Sequence, residues 1–369
     1  MIRTFLLVLL LVGAIAPRAA APPEASPVAS PTGPERAWQV IETREIAVDG
    51  DPVELSPDGR WLAGTADEGN SVCAWGVETL TPTCAELDIA VTLGLGAMAM
   101  RWSPDSSAFA FTTGDIARLI KGDVMVFEVE TGDVVNLTNT GGADEGPLCI
   151  GADWTADSSQ VIFAAFNGFG DDANALNLVA RDGGPPTEIP LPASNGSLDI
   201  VSPPLVAGES VLVAIQADDD AGGVWRVGLD GADPLQLVTA SSSQGVPDPL
   251  VASVSPDGRH AGIVSARGLQ LLEPEGTFFT LDLASGELIP MDFGDGLGLV
   301  AFAPEGDTGL IVRDDHLATI DPVTGATQPV VNSPEAETWL RYIPVWAAND
   351  TVFLPGEAGG TLVTLAPVS

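Results

Sequence analysis

The sequence is short of positive charge. Fourteen lysines and arginines face 51 aspartates and glutamates, the formal net charge is −37, and Lys121 is the only lysine. Such a chain repels a phosphate backbone, which is bound through clustered lysine and arginine that release counterions. Nucleic acid is therefore excluded as a partner, and anionic lipid fits poorly. Cations, basic proteins and neutral ligands are compatible with the charge. Histidine is equally scarce: His260 and His316 stand outside any His-x-x-x-His or His-Glu-x-x-His spacing. With only three cysteines, too few soft ligands remain for a zinc site. The Gly-x-Ser-x-Gly nucleophile elbow is missing, as are the P-loop and dinucleotide-binding patterns. Helical periodicity is nearly absent. The apolar run Phe5–Ala16 is shorter than the ~20 residues a spanning helix needs, so no membrane span is expected in the mature chain.

What is present begins with that run. Arg3 precedes it and small residues follow, the pattern of a secretory signal peptide over residues 1–21. Residues 22–36 are mostly proline, alanine and serine, a composition that builds a semi-extended spacer rather than a core. The expected localisation is export: periplasmic, cell-surface or secreted. The rest of the chain, 37–369, is rich in apolar residues and in turn formers (41 Gly and 30 Pro over the whole sequence), as in an all-β protein with many short strands.

A short motif recurs through this region. It reads ELSPDGRWLAG at 54–64, RWSPDSSAFAF at 101–111, DWTADSSQVIFAA at 153–165, PLVAGESVLVAI at 204–215, ASVSPDGRHAGIV at 252–264, AFAPEGDTGLIV at 301–312 and PVWAANDTVFL at 344–354. The equivalent turn positions Asp58, Asp105, Asp157, Gly208, Asp257, Glu305 and Asn349 are 47, 52, 51, 49, 48 and 44 residues apart. A nearly constant period marks one repeated supersecondary unit. In Ser-Pro-Asp-Gly, proline presets φ, aspartate fits the third position and glycine accepts the left-handed conformation, which joins two antiparallel strands. The motif aspartates are thus turn formers first. Between the motifs, segments such as VMVFEVETGDVVNLT (124–138) and FFTLDLASGELIPM (278–291) read strand, turn, strand. Each unit therefore has four strands, A to D, the size of a propeller blade.

The last unit lacks its fourth strand, and a lone strand, AWQVIETREIAV at 37–48, precedes the first motif. Placing that strand in the last unit closes a ring and removes its open edge. The expected fold is an all-β, seven-bladed β-propeller of four-stranded antiparallel blades closed by the N-terminal strand, with six or eight blades as alternatives. The residues Ser56-Pro-Asp-Gly59, Ser103-Pro-Asp105, Ser255-Pro-Asp-Gly258, Thr131-Gly132 and Thr324-Gly325 resemble the TolB-type family of propeller repeats, relatives of the WD-repeat. The resemblance covers the propeller only, because residues 22–50 leave no room for the α/β domain that TolB itself carries. It implies that A–B and C–D turns share one face and that the opposite face, made of B–C and D–A loops, is the binding face.

On that second face the sequence places acids: Asp67, Glu68, Asp171, Asp172, Asp218, Asp219, Asp220, Asp314 and Asp315 in B–C connections, and Asp144 and Glu145 in a D–A loop. They are the candidate binding residues, an acidic rim suited to calcium or a basic partner, since hard cations take convergent carboxylate oxygens. None matches an EF-hand loop, and solvated loop acids are the plainer reading. No residue qualifies as catalytic, and no cofactor other than calcium is implied. Cys73 and Cys84 flank the turn Glu78–Pro82 and are the expected disulfide, with Cys149 left as a buried thiol. The expected function is an extracytoplasmic binding or scaffold module, monomeric, that presents loops to a protein or small ligand. The alternative is an envelope enzyme, a hydrolase, lyase or lactonase, with metal-assisted carboxylates in the channel.

Overall fold

The turn motif sets the local geometry of each repeat. In the first one, Ser56 Oγ donates to Asp58 Oδ1 at 2.7 Å, and Asp58 Oδ1 accepts the Arg60 N–H at 3.0 Å. Ser56 Oγ also accepts the Trp61 N–H at 3.0 Å, so one hydroxyl pins both sides of the turn. The same hydroxyl–carboxylate contact recurs as Ser103–Asp105, Thr155–Asp157 and Ser255–Asp257, at 2.6, 2.7 and 2.6 Å. These local bonds satisfy turn donors that no strand can reach. Gly59 takes the left-handed φ of 73° there; Ser106 and Ser158 take it at 60° in the next two repeats, where no glycine is present.

In the computed structural model, the residues described are 37–88, 91, 100–113, 122–139, 148–166, 174–192, 198–217, 221–240, 246, 248–265, 278–291, 299–313, 316–335, 344–356 and 359–368. They form seven antiparallel sheets, one per repeat, and contain no α-helix. Blade 1 has strands Asp51–Leu55, Trp61–Ala66, Ser71–Gly76 and Pro82–Glu86, paired in that order. Blades 2 to 6 repeat the A-B-C-D meander. Strand A of each blade contacts strand A of the next, and that of blade 7 contacts that of blade 1. The seven A strands therefore form the wall around the axis, and the D strands form the perimeter.

Closure is direct. Blade 7 takes strands A to C from Val345–Trp346, Thr351–Gly356 and Gly359–Pro367, and its fourth strand is Trp38–Ala47. That strand runs antiparallel to the chain's last strand from Trp38 opposite Pro367 to Ala47 opposite Gly359. The seven-bladed ring with an N-terminal closing strand is thus what the repeat count implies.

Blade 4 departs from the simple pattern. Its A strand is broken into Leu198–Ile200 and Leu205–Ala207, which pair in turn with the two ends of Ser210–Ala217. Pro203 and Pro204 lie in the break, because proline has no N–H to give to a ladder. Pro203 packs on Gly151 of blade 3, where a Cβ would meet the Pro203 Cβ at 2.4 Å. Reading the blade from Pro204 onward omits its first segment, which lies before the prolines.

Among the described residues, no single core fills the ring. Each pair of neighbouring blades shares an apolar cluster, blade 7 with blade 1 included. Between blades 1 and 2, Ala63, Val72, Met100, Trp102, Phe109, Phe111 and Phe127 are buried together. The Phe109 and Phe127 rings stack there at 4.9 Å. Trp102 and Trp154 serve these inter-blade layers, as large aromatics usually do. Trp61 is partly buried against the same layer. A blade alone exposes two apolar faces, so stacking in a ring is how the sequence buries them.

Candidate functional site at the inner wall

The position two residues before the first turn residue, which is Ser or Thr in four blades and alanine in blades 4, 6 and 7, holds the same register in every blade. Read from strand pairing, it is Glu54, Arg101, Asp153, Leu205, Ser253, Ala301 and Val345 in blades 1 to 7. Three consecutive blades therefore place charged groups on the wall strands, and the rest place small or apolar ones. Arg101 Nη1 donates to Glu54 Oε1 at 2.5 Å. Asp153 Oδ2 accepts the Val206 N–H of blade 4 at 2.7 Å, and its Oδ1 accepts its neighbour Trp154 N–H at 2.9 Å. Two indoles add to the row: Trp154 Nε1 donates to Arg101 O at 2.9 Å, and Trp102 Nε1 to Glu54 O at 3.4 Å.

Glu54 is only 7% exposed. Burial pushes its carboxyl up to about 7, and the charge and hydrogen bond of Arg101 only partly offset that rise. Burial also raises Asp153, against the pull of Arg101 and of its two backbone donors. Removing water from a carboxylate disfavours its charged form, whereas a nearby guanidinium favours it. Here burial prevails, so the row carries a carboxyl that takes up and releases a proton near neutrality. Perturbed carboxyls of this kind gather at functional sites and in structural ion-pair networks alike.

A second polar junction lies at the turn end of blades 2 and 3. Arg181 donates through Nε and Nη2 to the two carboxylate oxygens of Glu128, at 2.8 and 2.5 Å. It also reaches Asp105 Oδ2 at 3.3 Å and Ser107 Oγ at 2.9 Å, and sits 5.6 Å from the Trp154 ring centroid. Its planar fork suits the paired carboxylate, which a lysine would not match. Burial would raise Asp105, but bonds from Ser103 and Ser107 and the Arg181 charge hold it below the usual carboxylate range.

Of the acids assigned to the rim, Asp67 and Glu68 lie in an exposed turn between strands B and C of blade 1, at φ of 51° and 56°. The backbone O of Asp67 accepts the Asn70 N–H and amide, and Asp67 Oδ2 accepts the Ser71 hydroxyl at 3.1 Å. Asp144, Glu145, Asp171, Asp172, Asp218, Asp219, Asp220, Asp314 and Asp315 lie outside the described residues. Among the described residues, no cluster of three His, Cys, Asp or Glu is arranged to hold a metal ion. Cys73 and Cys84 sit opposite each other on strands C and D of blade 1, Cα atoms 4.1 Å apart, joined as a disulfide. Cys149 is buried and free; burial and the nearby Asp123 charge push its thiol up to about 12.

The acid-rich loops do not point to the Glu54–Arg101–Asp153 row. Its signal is a column: aligned on the turn hydroxyl, the first three repeats read Glu-Leu-Ser, Arg-Trp-Ser and Asp-Trp-Thr. Opposite charges at one register of adjacent repeats point to a contact between blades.

No protein-family model matches the chain, and no curated protein sequence does. Solved structures do match in fold. An oligogalacturonate lyase from Vibrio parahaemolyticus aligns over 87% of this chain and 90% of its own, at a TM-score of 0.53 and 13% identity. An oligogalacturonate lyase in complex with manganese aligns over 89% and 96%, at 0.54 and 14% identity. The β-propeller domain of Cps50 (Swd1) from Myceliophteria thermophila aligns over 89% and 100%, at 0.55 and 12% identity. At these identities the likeness is one of fold, and the fold alone serves both enzymes and binding domains.

Proposed function

We propose that the protein is an exported β-propeller of the TolB-type repeat class that acts as a binding module, presenting its loop face to a protein or small ligand. One observation carries the reading: the charged groups of the described wall strands are spent on holding blades together. Glu54 is paired with Arg101 and Asp153 with the blade 4 backbone, so the ring is a stiff platform. A stiff ring lowers the ordering cost of binding through its loops. Export is supported by the signal-peptide pattern and by the Cys73–Cys84 bond, which suits an oxidising compartment. The acid-rich loops favour a basic partner or calcium as the ligand.

The test uses immobilised residues 37–369 as wild type, as a loop-face variant with Asp218, Asp219 and Asp220 changed to Ser, and as the turn-face variant Asp157→Ser. Envelope extract from the host is passed over each. A species retained by the wild type and the turn variant but lost by the loop variant is expected. Equal retention by all three, or none by any, contradicts the reading.

The alternative, an envelope hydrolase, lyase or lactonase, is favoured by Glu54, a wall carboxyl held near neutrality beside a guanidinium. General acid–base work uses groups tuned to the working pH. Turnover of an oligosaccharide or lactone panel that disappears in Glu54→Gln would favour this reading over the first.

A further inference from the structure

The seven seams of the ring are not held alike. Between blades 1 and 2, the Asp58 N–H donates to Ser106 Oγ at 3.1 Å, and Trp102 Nε1 to Glu54 O at 3.4 Å. Between blades 2 and 3, the Asp105 N–H donates to Ser158 Oγ at 3.2 Å, Trp154 Nε1 to Arg101 O at 2.9 Å, and Arg181 bridges to Glu128. Blades 3 and 4 are joined through Asp153 and the Val206 N–H. Blades 4 and 5 are joined by Arg226 Nη1 on Leu283 O at 2.8 Å, and blades 5 and 6 by Thr280 Oγ1 on Pro322 O at 2.7 Å. Blade 7 meets blade 1 through the Ala348 N–H on Pro57 O at 2.9 Å and Arg44 on Val77 O at 2.7 Å.

Among the described residues, blade 5 buries two polar atoms without a partner, Ser253 Oγ and His260 Nδ1, and the seam of blades 6 and 7 is set apart by a pair of indole donors in that state. Trp346 occupies the wall position of Trp102 and Trp154. Those two indoles donate to the wall strand of the preceding blade, whereas the Trp346 Nε1 is buried without a hydrogen-bond partner. The Nε1 of Trp38, against which Trp346 packs edge-on at 5.2 Å, is likewise buried without one. Both residues are more than nine-tenths buried. A buried donor without a partner opposes closure of the surface that buries it, and exposure to water relieves it. Among the described residues, the hydrogen bonds across this seam lie at its outer edge. There the Val40 N–H donates to Val331 O and the Val331 N–H to Trp38 O, each at 2.9 Å. Both belong to the N-terminal closing strand, which is therefore hydrogen-bonded to two sheets at once.

We propose that the ring opens at the seam of blades 6 and 7, and that the closing strand is the latch that restrains it through the Trp38–Val331–Val40 bridge. The inside of the seam, around Trp346, loosens first, and release of the latch frees blade 7 from blade 6 together with its own fourth strand. A pull on Ala37 bears first on the bond that its carbonyl accepts from the Val368 N–H and then on this latch.

The fold supplies its own reporters. The same turn bond is made by the Ser103 N–H to Ala108 O, Thr155 to Gln160, Ala303 to Thr308 and Ala347 to Thr351. Local opening governs how fast such amides exchange with solvent. In hydrogen exchange on the mature protein, the Ala303 and Ala347 amides are expected to exchange at least tenfold faster than those of Ser103 and Thr155. Val331→Pro removes the donor to Trp38 O and is expected to speed exchange of Ala303 and Ala347 further, leaving Ser103 and Thr155 unchanged. Should the variant not fold, the ordering in the wild type still decides. Equal exchange at all four amides, or faster exchange at Ser103 and Thr155, overturns the proposal.

Discussion

Replacing Glu54 with glutamine probes the wall directly, because it removes the charge and keeps the shape. The native carboxyl holds its proton up to about pH 7, whereas the unfolded chain releases it near the ordinary value of 4.5. Between those limits the native state binds more protons, so stability falls as pH rises across the window. At 1.36 kcal/mol per pKa unit, the loss by pH 8 is at most about 3 kcal/mol. The neutral amide of Glu54→Gln mimics the protonated acid and escapes that loss. Two effects compete in the variant. Burial of the charge is relieved, but Arg101 loses its nearest anion, and breaking a buried pair commonly costs about 3–5 kcal/mol. Asp153 decides between them, because its carboxylate also attracts Arg101 and remains. We therefore expect Glu54→Gln to match the wild type at pH 5 and to exceed it at pH 8 by up to about 3 kcal/mol, with a shallower pH dependence throughout. The assay is urea unfolding followed by tryptophan fluorescence at both pH values. A variant less stable than the wild type at pH 8 by about 2 kcal/mol or more would refute the claim that burial outweighs the ion pair.

The turn aspartates give the opposite slope on the acid side. Asp105 and Asp157 are held below the ordinary value, Asp105 by hydrogen bonds that outweigh its burial and Asp157 chiefly by the Thr155 and Ser159 hydroxyls. Their contribution is complete above the unfolded value of 3.8 and is lost as pH falls through their native values. Stability is thus expected to peak at weakly acidic pH, and a melting temperature that rises steadily from pH 5 to pH 8 contradicts this. Arg181→Lys keeps the charge but loses the two-pronged contact with Glu128; a cost of about 1–2 kcal/mol is expected in unfolding experiments, whereas no change would mean the junction is idle. Removing the disulfide with Cys73→Ala and Cys84→Ala is expected to cost about 3 kcal/mol, read by the same titration. Cys149 is expected to resist thiol reagents in the native protein and to react on unfolding, since its buried thiol stays protonated.

Much of the ring is legible in the repeats because one turn is built from contiguous residues. Ser56, Asp58 and Gly59 meet within four positions, so their spacing carries the geometry with it. The closing strand is legible for a similar reason: the last repeat is one strand short and the N-terminus one strand long. Blade 4 is harder to read, because Gly208 replaces the acid of the motif and Pro203–Pro204 divides the wall strand. The inner-wall row is least visible. Glu54 and Arg101 are 47 residues apart in sequence, and each is unremarkable within its own repeat. Only register between blades brings them together. Acid-rich loops draw the eye first, yet Asp67 and Glu68 are exposed, and Asp67 is engaged with its own turn.

Everything rests on the two ends of the chain sharing one sheet. Glu45 lies directly opposite Thr361 in that sheet. Cysteines placed at these two positions, in a chain otherwise as it stands, are predicted to form a disulfide on mild oxidation, recovered by peptide mapping as a link between the first and last strands and accompanied by a higher melting temperature. Two free thiols after oxidation, in a protein that is otherwise folded, would contradict ring closure and the account built on it.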